Sequence, residues 1–123
     1  MQTITSILQV VIALGLFNVW LLRFSRSTPY RGGAAGTMPE EFLAYGLPRW
    51  STYLVGFLKL GAGLALIIGL WHPHWVLPAA LLIAGLMVGA IFMHFKIRDP
   101  LKKNLPALVM LILSVSLSWL TAT

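Results

Sequence analysis

Four apolar runs, at about 4–23, 51–70, 76–95 and 105–120, dominate this chain of 123 residues. Each is near the roughly 20 residues a helix needs to cross a hydrocarbon core of about 30 Å. Inside a bilayer every backbone N–H and C=O must find its partner within the protein, so runs of this kind are helices. Composition agrees: 59% of residues are hydrophobic and 10% charged, against roughly 45–50% and 25% in soluble domains. The expected fold is therefore all-α, an integral membrane four-helix bundle made by a single domain over 1–123. The opening MQTITS carries no basic residue and no small-x-small site follows, so the first run is expected to be a span rather than a cleaved leader.

The connection from Phe24 to Trp50 is about 27 residues, well beyond the roughly 12–15 that a structureless link usually reaches. It should contain structure. Ser27, Thr28 and Pro29 with Gly32, Gly33 and Gly36 read as turns. Thr37 followed three residues later by Glu40 reads as a capping box, and Gly46 with Pro48 as a helix stop. The short helix so bounded places Met38, Phe42 and Tyr45 on one face, so it is expected to be re-entrant, dipping into the bundle. Glu41 lies one turn before Tyr45.

Lys59 sits about eight residues, roughly 12 Å, inside the second run. A cation at that depth is expensive unless it snorkels, pairs or faces a wet cavity. The chain has three acids, and Asp99 falls in a surface turn where Lys96, Arg98 and Lys102 compete for it. Glu40 is engaged if the capping box forms. Glu41 is the remaining partner for Lys59, and Tyr45 can join the same network. Gly85 and Gly89 form a GxxxG that predicts close helix packing. His72 and His74 lack a third ligand on their side of the membrane, so no metal site is expected. His94 ends the third run, where a lone histidine is ordinarily solvated or capping. Ser114 and Ser118, one turn apart, should face the bundle.

All lysines and arginines except Lys59 flank or lie in the first and third connections: Arg23, Arg26, Arg31 and Arg49, then Lys96, Arg98, Lys102 and Lys103. With an even number of spans these two connections share a side, and the positive-inside rule puts them in the cytoplasm. Both termini are then periplasmic in a bacterial inner membrane. Topology thus accounts for the net charge of +6, and no nucleic-acid partner is called for. The chain has no cysteine, so disulfides and thiol redox chemistry of its own are excluded.

The strings TPYRGG, EEFLAYGLP, VGFLKLGAGL and GLMVGAIFMHFKIRDPLKKNLPAL, in this order, resemble the DoxX-like family of small four-span membrane proteins. The likeness runs from about Ser27 to about Leu108 and is carried by Thr28, Arg31, Glu41, Tyr45, Gly46, Lys59, His94, Lys96, Asp99 and Pro100. The wider DoxX group is associated with membrane oxidoreductases, including subunits of thiosulfate:quinone oxidoreductase. The resemblance implies a small membrane subunit of a redox system with quinone as its cofactor. Lys59, Glu41 and Tyr45 are then the candidate catalytic residues, and Lys59, Arg31 and His94 would hold the quinone. Two other classes stay open: a non-catalytic assembly or anchoring protein, with a protein partner or homo-oligomer through the Gly85/Gly89 face, and a small carrier or lipid-binding protein with Lys59 as an anion site.

Overall fold

The helices form where the apolar runs lie. The computed structural model describes residues 2–22, 24, 32–33 and 35–122, and all regular structure among them is helical. Helix α1 (Gln2–Phe17) continues into a π-helical turn, Asn18–Leu22. Helix α2 is short (Met38–Ala44), α3 spans Arg49–Ile68, α4 Val76–Lys96 and α5 Leu105–Ala122. Single 3₁₀ turns, Pro73–Trp75 and Leu101–Asn104, precede α4 and α5. Four stretches are long and apolar enough to cross a membrane: Thr3–Leu22, Arg49–Ile68, Pro73–Lys96 and Leu101–Ala122. The molecule is a multi-pass membrane protein.

The long helices pack as a ring in the order α1, α3, α4, α5, with α2 laid against α3. Ile12 and Leu16 of α1, Leu66 of α3, Ile83 and Met87 of α4 and Leu117 of α5 fill its centre. Several polar groups in this core are satisfied at short range, as a low-dielectric interior demands, whereas the Thr52 hydroxyl and the Asn104 side-chain amide are buried without a hydrogen-bond partner among the described residues. Gln9 Nε2 donates to the Leu66 carbonyl (3.0 Å). The hydroxyl of Ser114 donates to the Leu111 carbonyl (3.1 Å) and that of Ser118 to the Ser114 carbonyl (2.8 Å), so both serines do face inward. Outward-facing side chains are large and apolar, among them Phe57, Phe92 and Trp119, and these contact lipid.

A second, smaller core closes one end of the bundle: Trp20 from the π-helical turn with Met38, Phe42 and Tyr45 from the α2 segment. These four are between 5% and 7% exposed, so α2 is inserted rather than floating. Its two ends are fixed locally. Thr37 Oγ1 accepts from the Glu40 N–H (3.4 Å), but the Glu40 carboxylate reaches the Gly36 N–H (2.7 Å) rather than that of Thr37. The expected capping box is therefore displaced outward by one residue, because the open backbone at Gly36 presents its N–H to the longer side chain. At the other end Gly46 takes φ +82°, and Leu47 N–H donates to the Phe42 carbonyl (3.0 Å), closing the helix with a left-handed cap.

The Gly85/Gly89 pair does not pack as expected. A Cβ at either position would meet nothing within 4 Å, and both residues are exposed. Helix α4 turns Ile83, Met87 and His94 toward the core, and Gly85 and Gly89, more than 100° away around the helix, border an open cavity rather than a closely packed neighbour. The close approach is made at Gly56 instead, where a Cβ would lie 2.9 Å from the Trp20 ring.

Candidate functional site

Below the Trp20 core lies a cavity of about 770 Å³, open along part of its length, with walls that are mostly apolar. Lys59, Glu41, Tyr45 and His94 all line it, together with Trp20 and Met93. Four of the residues singled out from the sequence are thus brought to one place from three helices and a helix cap. Arg31 lies outside the described residues, as do Arg23, Arg26 and Thr28.

The polar end of the cavity is a chain of hydrogen bonds. Glu41, only 7% exposed, accepts at Oε1 from the Tyr45 hydroxyl (2.6 Å) and from the Gly32 N–H (3.0 Å). Tyr45 Oη stands 3.3 Å from His94 Nε2, and Glu41 Oε1 stands 3.8 Å from the same nitrogen. The rings of Tyr45 and His94 meet edge to face, 5.6 Å between centroids. On the far side of the imidazole, Nδ1 is 2.7 Å from Asp99 Oδ2. The carboxylate–tyrosine–histidine–carboxylate sequence follows from two helix pieces: Glu41 on α2 and Tyr45 at its C-cap sit one turn apart, and His94 and Asp99 straddle the end of α4. Gly32 is needed for this closeness, because a Cβ there would lie 2.6 Å from the Tyr45 ring.

Asp99 corrects the surface-turn reading. Arg98 takes φ +59°, the left-handed conformation that ends a helix, and Asp99 N–H then donates to the His94 carbonyl (2.9 Å). That turn folds the Asp99 side chain back over the last turn of α4, where it is 6% exposed. Its oxygens accept from the Gly33 N–H (3.0 and 3.3 Å), and Lys103 approaches Oδ1 at 3.7 Å while donating to the Gly33 carbonyl (2.6 Å). Burial by itself would raise the Asp99 pKa. The hydrogen bonds from His94 and Gly33, with the Lys103 charge, outweigh it and hold the carboxyl below the ordinary carboxylate range. His94, read as solvated or capping, is 5% exposed. Lys96 adds a clamp, donating to the Tyr45 carbonyl (3.1 Å).

Lys59 is placed differently from the ion pair anticipated for it. Its ammonium lies 5.2 Å from the centroid of the Trp20 ring. Among the described residues it makes no contact of 4.0 Å or less with Glu41, whose Oε1 is engaged by Tyr45 and Gly32. It therefore presents its charge to the same cavity that the hydrogen-bonded chain lines.

Asp99, Lys103, Gly32 and Trp20 were not singled out as site residues by sequence reasoning. For Asp99 the spacing from His94 put an acid near the histidine, but the left-handed turn at Arg98 that folds it back carries no mark in the sequence. His72 and His74 are exposed, their ring centroids 6.1 Å apart. No group of three histidine or acidic side chains able to hold a metal ion occurs among the described residues.

No solved structure matches this chain. It is similar to the uncharacterized protein YdgD of Bacillus subtilis (strain 168), 31% identical over 77 residues that cover 62% of this chain and 68% of that protein. The model of the DoxX-like family matches residues 7–117, nearly the whole of the bundle and every residue of the polar chain from Glu41 to Asp99, and this protein belongs to that family.

Proposed function

We propose that this protein is a small membrane subunit of a redox system that binds a quinone in the cavity, with its ring toward Lys59 and the Glu41–Tyr45–His94 chain. One observation carries the reading: a largely apolar space of about 770 Å³, within the roughly 300–1,000 Å³ range of small-molecule sites, is lined by both a cation and a proton-bearing chain. The fit is chemical as well as spatial. An isoprenoid tail suits the apolar walls, the Lys59 ammonium can donate to a quinone carbonyl, and the Tyr45 hydroxyl stands ready to give or take a proton at the same end. A quinone, when bound, supplies the capacity to accept two electrons and two protons. This chain, lacking cysteine, offers no thiol redox chemistry, and the electrons are assigned to a partner protein. The basic first and third connections favour a cytoplasmic side for the polar chain in a bacterial inner membrane.

A second reading, a non-catalytic anchoring protein, rests on Gly85 and Gly89, which are exposed and line the same cavity, so that a second copy or a partner helix seated there competes with the quinone. The two are separated by measuring quinone binding. Protein purified in mild detergent is titrated with a water-soluble short-chain ubiquinone and menaquinone, following quenching of tryptophan fluorescence with Trp20→Phe as the control for the cavity signal. Saturable quenching that largely disappears with Trp20→Phe is expected. Loss of a charged hydrogen bond in Lys59→Met should weaken binding by about tenfold or more. Absence of saturable binding, or equal affinity in Lys59→Met, rejects the quinone site.

A further inference from the structure

We propose that Asp99 is a positioning residue that fixes His94 in its Nδ1–H tautomer, so that His94 Nε2 returns a proton to the Tyr45 hydroxyl each time the hydroxyl gives one to an oxygen acceptor in the cavity. The inference rests on the quinone reading only for the identity of that acceptor, a carbonyl oxygen. The geometry of the chain itself carries the rest. Ionised, Asp99 can only accept, and it stands 2.7 Å from Nδ1. The hydrogen between them therefore belongs to the ring. In the neutral imidazole Nε2 is then bare, and it faces Tyr45 Oη at 3.3 Å and Glu41 Oε1 at 3.8 Å.

Two protonation states of this arrangement are well formed. With the ring neutral, the single Tyr45 hydrogen serves either Glu41 Oε1 or the bare Nε2, both within its reach. With a proton added at Nε2, the ring donates to Tyr45 Oη, the hydroxyl donates to Glu41, and the imidazolium lies between two carboxylates. Delivery starts from the second state. The Tyr45 hydroxyl turns from Glu41 to the acceptor oxygen, its O–H bond breaks as an O–H bond forms on the acceptor, and the His94 Nε2–H bond breaks as a new O–H bond forms on Tyr45. The net change is one proton moved from the ring to the acceptor, with no electron transferred, and Asp99 stays ionised throughout. Its second oxygen is held by Gly33 N–H and its charge is faced by Lys103, which keeps it in the acceptor-only form. This is the arrangement by which a hydroxyl is served by a base that a third group orients.

The test is ¹⁵N NMR of histidine-labelled protein carrying His72→Gln and His74→Gln, both at exposed positions near the opposite end of the bundle, so that His94 gives the remaining ring signals. With the ring neutral, Nδ1 should appear protonated and Nε2 unprotonated by a ratio of at least about ten to one. In Asp99→Asn one oxygen must serve both His94 and Gly33, and the ratio should fall at least severalfold. Tyr45→Phe should leave the tautomer unchanged, because Tyr45 is not what selects it. A dominant Nε2–H tautomer in the parent protein overturns the proposal without any variant having to fold, and so does an unchanged ratio in folded Asp99→Asn. The spectra are taken without quinone. Failure of quinone binding would therefore leave the tautomer result standing, and a wrong tautomer would leave the quinone site standing without this proton route.

Discussion

Lys59 lies against the Trp20 ring and feels the Glu41 charge without a direct ion pair to it, and the two contributions predict different couplings. A partly desolvated cation over an indole face is worth about 0.5–2 kcal/mol, and the Lys59 ammonium is 5.2 Å from the Trp20 centroid. Double-mutant cycles for detergent unfolding of Lys59→Met with Trp20→Leu, and of Lys59→Met with Glu41→Gln, should show the larger coupling for the first pair. A larger coupling to Glu41 would restore the direct ion pair. Asp99 offers a second check, through pH. Its folded-state pKa lies below the unfolded value, so ionisation stabilises the fold at pH values above the unfolded carboxyl value of about 3.9, and that contribution is lost as pH falls through the folded value. Asp99→Asn should melt below the parent protein at pH 7, and the gap should narrow when melts are repeated below about pH 4. A gap as wide at pH 3 as at pH 7 would mean that the charge of Asp99 is not what ties Gly33 to His94.

Between elements, the position of each glycine decides what it does. Trp20 is fixed between Gly56 on one side and the Phe42 ring, 6.1 Å away, on another. A methyl group at Gly56 therefore has nowhere to go, and Gly56→Ala should cost about 1–3 kcal/mol, the usual range for an overfilled core. Gly85→Ala should be neutral or slightly stabilising, since a Cβ there meets nothing within 4 Å and alanine is the better helix former. Chemical unfolding of the two variants side by side checks the contrast, and equal losses would show that α4 is packed more tightly than its open face implies. The GxxxG spelling could not make this distinction. Spacing gives a small-residue face but not its direction, which is set by the larger side chains at Ile83, Met87 and His94. The insertion of α2 was legible because Met38, Phe42 and Tyr45 recur at helical spacing. The inward turn of Asp99 was harder to see, because it depends on a left-handed residue at Arg98, where nothing in the side chain marks the conformation.

For the molecule as a whole, the hydrogen bonds settle which connections are neighbours and the charges point to the side they occupy. Gly33 is bound to Asp99 and Lys103, and Tyr45 to Lys96, so the first and third connections meet at one end of the bundle. The short turn at Pro73–Trp75, the start of α1 and the end of α5 then fall at the other. Span number and spacing were readable from hydrophobicity alone, because each helix must satisfy its own backbone in lipid. The cavity was not readable, since it depends on how far four helices stand apart. Basic residues flank the end where the two connections meet, and each lysine or arginine near a helix end favours the cytoplasmic side. The chain has no cysteine, so single ones can be introduced without background. Arg98 and Ala122 are both exposed, at opposite ends of the bundle. In intact cells made permeable only at the outer membrane, Ala122→Cys should react with a membrane-impermeant maleimide and Arg98→Cys should not. After the inner membrane is opened, both should react. Labelling of Arg98→Cys in cells with an intact inner membrane would place the polar chain, and with it the proton supply to His94, on the periplasmic side. Partial labelling of both would show that the basic connections do not fix a single orientation.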